Sequence, residues 1–319
     1  MSTPISITGR KSPGGPPPGL NRLSLMRWAV KNPPEDPNIT FDGKTVLVTG
    51  ANAGLGYEAA VKYAQKGVTK LILAVRTQSK GEETKRKIME RSGRTDDFMS
   101  ILLVDLTNIS SVQGFAIALE KETTQLHIAL LNAGMAAPSF VKLDTGYETA
   151  LQVNVLSTAL MAALILPILR RTTNVTGSPS HLTFVNSNGH IWVKRSSYQN
   201  THNGNLLEHL NDPKFFALEH SYCAVKLLGM AVMKHMAKAT TTTDREAKET
   251  PSIIVNACCP GLCKTELGRG FARPLQLINQ GLQYFTARTA EEGGRTLVGA
   301  TVLGPESHGQ FWHHDILHP

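Results

Sequence analysis

The chain has 319 residues, with 33 Lys plus Arg against 25 Asp plus Glu and a formal charge of +8. Its 41% hydrophobic residues supply a sizeable core and its 18% charged residues are too few for a wholly disordered chain. A disulfide- or metal-held miniprotein is excluded, and length alone leaves one or two domains open.

Residues 1–37 hold eight of the 17 prolines together with Gly9, Gly14, Gly15 and Gly19. Such a composition breaks helical and strand ladders. Residues 1–40 therefore read as a basic, extended or mobile arm, whose apolar centre (Leu20, Leu23, Leu25, Met26, Trp28, Val30) can dock on the body or on a partner.

From Phe41 onward, short β-branched runs alternate with longer helical patterns. Residues 44–49, 70–75, 99–104, 127–131, 181–187 and 252–259 read as strands, and 56–65, 80–91, 110–123, 147–170 and 220–239 as helices. This alternation predicts one α/β domain over residues 41–319, a Rossmann-like doubly wound parallel sheet with helices on both faces. Its ligand crevice lies at the carboxyl ends of the strands.

The richest apolar stretch, 159–169, is eleven residues long, short of the roughly 18 a membrane span needs, and reads as a buried helix ending near Pro167. No transmembrane segment and no secretory leader are expected. Cys223, Cys258, Cys259 and Cys263 do not form paired CxxC ligands, and three of them fall within six residues, too close for mutual disulfides. A reducing, cytoplasmic setting is expected. A pI near 9.3 raises nucleic acid as a partner, but the chain carries no recognition module for it.

Directly after the first strand, Thr49-Gly50-Ala51-Asn52-Ala53-Gly54-Leu55-Gly56 opens a helix. Three glycines there permit a tight turn and close backbone approach to a pyrophosphate, and the helix N-terminus offers free N–H groups. Nucleotide binding is the reading, with a purely structural turn as the alternative. Arg76 follows the second strand, with Lys80 four residues on; basic residues at this strand end suit a 2′-phosphate and hence NADP(H). A solvated charge at a helix start is the bland reading of both. Asp105, after the third strand, can accept from an adenine amino group or cap the next helix.

Tyr222 and Lys226 lie four apart at the start of a predicted helix and share a face. An ammonium beside a phenol lowers the phenol pKa, which makes the pair a candidate proton donor to a carbonyl or acceptor from an alcohol.

With these residues in order, the chain resembles the short-chain dehydrogenase/reductase family, including its retinol-dehydrogenase-like members, over about residues 41–312. The resemblance rests on the TGxxxGxG loop, Asp105-Leu106, Asn132-Ala133-Gly134 after the fourth strand, Asn154, Ser187, Tyr222 with Lys226, and Pro260-Gly261 with Thr265 after the sixth strand. It implies an NADP(H)-dependent oxidoreductase in which Tyr222 is the general acid/base and Ser187 positions and polarises the substrate carbonyl. Lys226 would lower the Tyr222 pKa and bind the nicotinamide ribose, and Asn154 would help hold a water linking Lys226 to solvent. Gly50, Asn52, Ala53, Gly54, Leu55, Gly56, Asp105, Leu106, Asn132, Ala133, Gly134, Pro260, Gly261 and Thr265 would line the cofactor.

Three departures stand out. Leu131 replaces the first Asn of the usual Asn-Asn-Ala-Gly, Asn186-Ser187 replaces Ser-Ser, and 35 positions separate Ser187 from Tyr222, so about 194–213 reads as part of a substrate loop. Met135, His190, Trp192 and Phe271 are candidate substrate contacts, each with loop or helix packing as the alternative. Phe271, Leu275, Leu277, Ile278 and Leu282 repeat at helical spacing and suit an apolar lid. His308, His313, His314 and His318 invite a metal, but they lack supporting geometry and none is expected. Cys223 reads as buried filler.

The expected activity is NADPH-dependent reduction of a ketone or aldehyde on a fairly apolar small molecule, such as an intermediate of fungal-type secondary metabolism. A retinoid or steroid dehydrogenase is the enzymatic alternative. A non-catalytic NADP(H)-binding regulator is the alternative from another class, opposed by the intact Ser187, Tyr222 and Lys226. Family members commonly form dimers or tetramers through the helices carrying Asn154 and Tyr222, and a monomer stays open.

Overall fold

In the computed structural model the described residues are 15–194, 205–243, 249–265 and 283–319, with 196, 198, 273 and 281 between them. β1 (Thr45–Thr49) is buried along its whole length, as a strand in the middle of a twice-covered sheet must be. Its side chains alternate: Leu47 joins one core, while Val46 and Val48 join the other. Burying each such aliphatic side chain is worth about 1.5–3 kcal/mol.

Six further strands run parallel to β1: β2 (Lys70–Val75), β3 (Met99–Leu103), β4 (Ile128–Leu131), β5 (Ser180–Val185), β8 (Ile253–Cys259) and β9 (Phe311–His313), and β10 (Ile316–His318) closes the edge antiparallel. The sheet order is β10-β9-β8-β5-β4-β1-β2-β3. β6 (Thr241–Thr243) and β7 (Glu249–Pro251) form a separate hairpin.

α2 (Gly54–Gln65), α3 (Gln78–Ser92) and α9 (Ala290–Ala300) cover one face, through residues such as Ala60, Ile88 and Leu297. α4 (Ile109–Glu122), α6 (Thr158–Thr176) and α8 (Leu218–Thr240) cover the other, through Phe115, Ile165 and Met233. The strand order reverses between β1 and β4, which puts the ligand crevice at their carboxyl ends.

The six expected strands and five expected helices all form, with ends shifted by a few residues. The structure corrects the sequence reading at two places. Within the N-terminal arm, Arg22–Lys31 is a helix, α1. The prolines flank this ten-residue run and do not interrupt it, the Asn21 side chain caps it by accepting from the Ser24 N–H at 2.9 Å, and Pro33 and Pro34 follow its end. The linker after it is pinned as well: the buried Lys62 ammonium binds Asp36 at 3.1 Å and Glu291 at 2.6 Å, and Arg295 donates to the Pro34 carbonyl at 3.2 Å.

The apolar helix also does not stop at Pro167. It continues to Thr176, and between the short α5 (Thr149–Leu151) and α6 it passes through a π-turn, Gln152–Ser157. Over 149–176 it is long and apolar enough to cross a membrane by length and composition, yet 67% of its most apolar 18-residue stretch is buried inside the fold.

Candidate active site

Gly50 and Gly54 both have positive φ, 65° and 55°, which an L side chain would strain. A Cβ on Gly56 would meet Asn132 Nδ2 at 2.3 Å and the Gly50 carbonyl at 2.5 Å, so only glycine lets the loop lie against the end of β4. Thr49 fastens the two strand ends: its hydroxyl accepts from the N–H groups of Asn132 and Ala133, both at 2.9 Å. Asn132 in turn donates from Nδ2 to the Thr49 carbonyl at 2.9 Å.

α2 begins at Gly54, and its N-cap Ala53 offers no side-chain cap, so among the described residues no capping side chain claims its first N–H groups. They open on a cavity of about 450 Å³ lined by Asn52, Ala53, Gly54, Tyr57, Lys87 and Lys264, among others. An uncapped helix N-terminus, a glycine cradle that a Cβ would fill and nearby lysines fit the pyrophosphate of a dinucleotide. Thr265 packs over this turn, 3.6 Å from where a Cβ on Gly54 would lie. Lys87, Lys264 and Tyr57 carried no motif that sequence reading could detect.

Arg76 is exposed just past β2. Lys80 is turned onto Glu83 at 2.8 Å, and Lys87 reaches the same carboxylate at 2.6 Å. Hydrogen bonds from these two lysines hold the Glu83 carboxyl down to about 2. Asp105 does not cap α4, whose cap is Asn108; its Oδ1 accepts from the N–H and hydroxyl of Thr107 at 2.9 and 2.8 Å. Leu106 is buried, and its carbonyl accepts from Ser157 at 2.6 Å, tying the third strand's exit to the π-turn.

Asn154 sits inside that π-turn, a distortion frequent at functional sites. Its carboxamide clamps the main chain of Met135, donating to the carbonyl and accepting from the N–H, both at 2.9 Å. A Cβ on Gly134 would come within 2.6 Å of Asn154 Oδ1. Beside them a cavity of about 20 Å³, bordered by Asn154, Thr158, Asn186 and Lys226, has room for a single water.

Ser187 lies two residues past β5 and caps the next turn, its hydroxyl accepting from the Gly189 N–H at 3.1 Å. The same side chain lies beside the Tyr222 phenol and favours its ionised form. Gly189 belongs to the pair's immediate wall, since a Cβ there would lie 3.4 Å from Ser187 Oγ and 3.8 Å from Tyr222 Cε1. Asn186 locks β5 to α8: it accepts from the Ser187 N–H at 2.9 Å and donates to the Lys226 carbonyl at 3.0 Å.

Lys226 Nζ lies 5.7 Å from the Tyr222 ring centroid. Burial pushes the phenol up to about 12 against the opposing influence of the Ser187 hydroxyl, while burial brings the Lys226 ammonium down to about 8. Tyr222 therefore holds its proton at neutral pH.

Pro260, Gly261 and Thr265 follow β8 at the same end of the sheet, and Gly261 has φ 77°. Of the candidate substrate contacts, Met135 is half-buried against the core. His190 bonds the Ser187 carbonyl through Nδ1 at 2.7 Å and packs edge-on to Phe311, so its ring is occupied by loop packing. Trp192 lies under the Arg22 guanidinium, 4.2 Å from the ring centroid. Phe271 and the neighbouring lid residues Leu275, Leu277, Ile278 and Leu282 lie outside the described residues. The proposed loop insertion contributes α7 (Leu206–Leu210), and Asn211 after it bonds Glu148 and Gly146. Cys223 is buried.

A parallel doubly wound sheet with an uncapped glycine turn at its switch point, and a Ser, Tyr and Lys gathered beyond β5, defines a dinucleotide-dependent oxidoreductase architecture. The family profile for short chain dehydrogenase matches residues 44–189. The short-chain dehydrogenase/reductase ffsI of Aspergillus flavipes is 40% identical over 300 residues, covering 94% of this chain and 85% of that protein. The short-chain dehydrogenase/reductase phmF of Phaeosphaeria nodorum is 39% identical over 300 residues, covering 94% and 86%. Among solved structures, NADPH-bound carbonyl reductase from chicken fatty liver shares the fold, with a TM-score of 0.59 at 16% identity over 85% of this chain and 96% of that one. The chain belongs to the short-chain dehydrogenase/reductase family and is an oxidoreductase that binds a nicotinamide cofactor.

Proposed function

We propose that this enzyme uses NADPH to reduce a ketone or aldehyde to an alcohol on a fairly apolar small molecule. The observation that carries this reading is the convergence of Ser187, Tyr222 and Lys226 at the carboxyl end of the sheet, where burial favours the protonated Tyr222 phenol. A phenol that keeps its proton at neutral pH is set to donate it to a carbonyl oxygen as negative charge develops there.

When bound, the nicotinamide would supply the hydride. The chain's own residues do the rest. Gly50 through Gly56 and the first turn of α2 would hold the pyrophosphate, with Asp105, Leu106, Asn132, Ala133 and Gly134 along the adenosine and ribose side. Pro260, Gly261 and Thr265 would border the nicotinamide. Ser187, its lone pair engaged by Gly189, directs its hydroxyl hydrogen to the carbonyl oxygen. Tyr222 delivers the proton to that oxygen, and Lys226, through the small cavity beside Asn154, restores it by way of a water.

Arg76, exposed with no acidic residue in its place at the end of β2, supports a 2′-phosphate and thus NADPH. The fungal origin of the relatives at 40% and 39% identity supports a secondary-metabolite intermediate as substrate. Four free, buried cysteines support a cytoplasmic setting. Purified Tyr222→Phe, assayed for ketone-dependent NADPH oxidation, is expected to lose at least about a hundredfold in kcat with NADPH affinity retained. Undiminished turnover would overturn the mechanism.

A further inference from the structure

Two arginines that the chemistry above does not use fasten α1 near Ser187 and Tyr222. At its carboxyl end the fastening is buried. Arg288, 2% exposed, donates from Nε to the Ala29 carbonyl at 2.9 Å and from Nη2 to the Asn32 carbonyl at 2.8 Å. Its Nη1 reaches the Pro260 carbonyl at 3.3 Å. A cation on the last carbonyls of a helix also meets the negative end of the helix dipole. Trp28 adds an edge-on contact with His314, 5.4 Å between ring centroids.

At the amino end the fastening is exposed. Arg22 Nη1 pairs with Glu219 at 2.9 Å, their side chains 58% and 64% exposed, and the guanidinium stacks on Trp192. Glu219 is three residues before Tyr222 on α8, and Trp192 is five residues after Ser187. The Arg22 charge also reaches Cys223, the neighbour of Tyr222, whose sulfur would lie 3.4 Å from a Cβ on Gly189. α1 thus extends from the Pro260 turn to Trp192, a span of about 15 Å for ten residues. One end is held by buried hydrogen bonds, the other by a solvent-screened latch of little strength.

We propose that α1 is the substrate-side wall of the active site and that Arg22, by latching it to Trp192 and Glu219, sets how large an apolar carbonyl compound the cleft accepts. Leu25, Met26 and Trp28 are half-buried, Trp28 against His314, and in this proposal the apolar N-terminal helix meets the substrate's hydrocarbon part while Ser187 and Tyr222 take its carbonyl. The inference rests on that reading of Ser187 and Tyr222. Arg22 acts through the helix it positions and touches none of the reacting atoms.

The test measures kcat and KM of the full chain for cyclohexanone and for the bulkier 1-decalone, with NADPH affinity by fluorescence titration, in wild type, Arg22→Ala and Leu25→Trp. Arg22→Ala is expected to change the decalone-to-cyclohexanone ratio of kcat/KM by about fivefold through KM, and Leu25→Trp by about tenfold against decalone, with NADPH affinity held. A purely structural role for α1 would shift both ketones equally. Ratios within twofold of wild type in both variants overturn the proposal. Should the wild type reduce neither ketone, the carbonyl-reduction reading fails on its own, and α1 is then judged by alkylation of Cys223 with N-ethylmaleimide, followed by mass spectrometry. Arg22→Ala should accelerate that alkylation at least fivefold, and an unchanged rate overturns the placement of α1 over the cleft.

Discussion

Replacing Lys226 with Met should stabilise the folded enzyme while abolishing its activity. In the fold, burial brings the ammonium down to about 8 from an ordinary value of 10.5, so the charged form is the disfavoured one. At 1.36 kcal/mol per unit this amounts to about 3 kcal/mol against the folded state at pH 7. Because Lys226 keeps some exposure, about 1–3 kcal/mol is the expected gain from Met, which conserves volume and needs no solvation.

The sign follows from proton counts. Between pH 8 and 10.5 the unfolded chain binds the proton that the folded one has released, so wild-type stability rises with pH across that window, and the penalty is fully present below it. Urea unfolding of the cofactor-free protein at pH 7, 9 and 10.5 would show Lys226→Met more stable at pH 7, with the gap closing toward pH 10.5. Ketone-dependent NADPH oxidation should fall at least about a hundredfold. A variant less stable than wild type by more than about 1 kcal/mol at pH 7 would refute the burial argument.

Gly56→Ala should abolish cofactor binding in a fluorescence titration, because its Cβ would lie 2.3 Å from Asn132 Nδ2 and 2.5 Å from the Gly50 carbonyl. Asn186→Ala should cost about 1–3 kcal/mol in chemical denaturation, as it leaves the Ser187 N–H and the Lys226 carbonyl without their partner, and should lower kcat more than it raises the NADPH dissociation constant. Arg76→Glu should shift preference from NADPH toward NADH by at least about tenfold in kcat/KM; an unchanged ratio would sink the 2′-phosphate assignment. Arg288→Met should release α1 at its buried end, seen as faster amide exchange over residues 22–31 while β1 stays protected.

The central sheet was legible because its signal is local. Buried parallel strands are short β-branched runs, and the helices between them cover one face each, so β1 to β5 and β8 emerge from residue type alone. β6, β7, β9 and β10 are three residues long and too brief to carry a period. α1 is masked by the proline content of the segment as a whole: Pro16–Pro18 and Pro33–Pro34 bound a proline-free run that helix formation tolerates. The π-turn at Asn154 has no sequence signature, and its Gln152 to Ser157 hydrogen bond at 2.7 Å forms only within the buried helix.

For the site, the sequence by itself determined which groups are present: glycines whose φ and missing Cβ the turn requires, a hydroxyl at a strand end, and a phenol four residues before an ammonium. These follow from chain-local spacing. Only the tertiary structure decided their ionisation and surroundings. The rise of Tyr222 to about 12 and the fall of Lys226 to about 8 come from desolvation by elements far apart in sequence. The same holds for Arg288, whose buried guanidinium gathers carbonyls from residues 29, 32 and 260. No periodicity in the chain announces such a convergence, because a charge can reach distant backbone only after the sheet has brought it there.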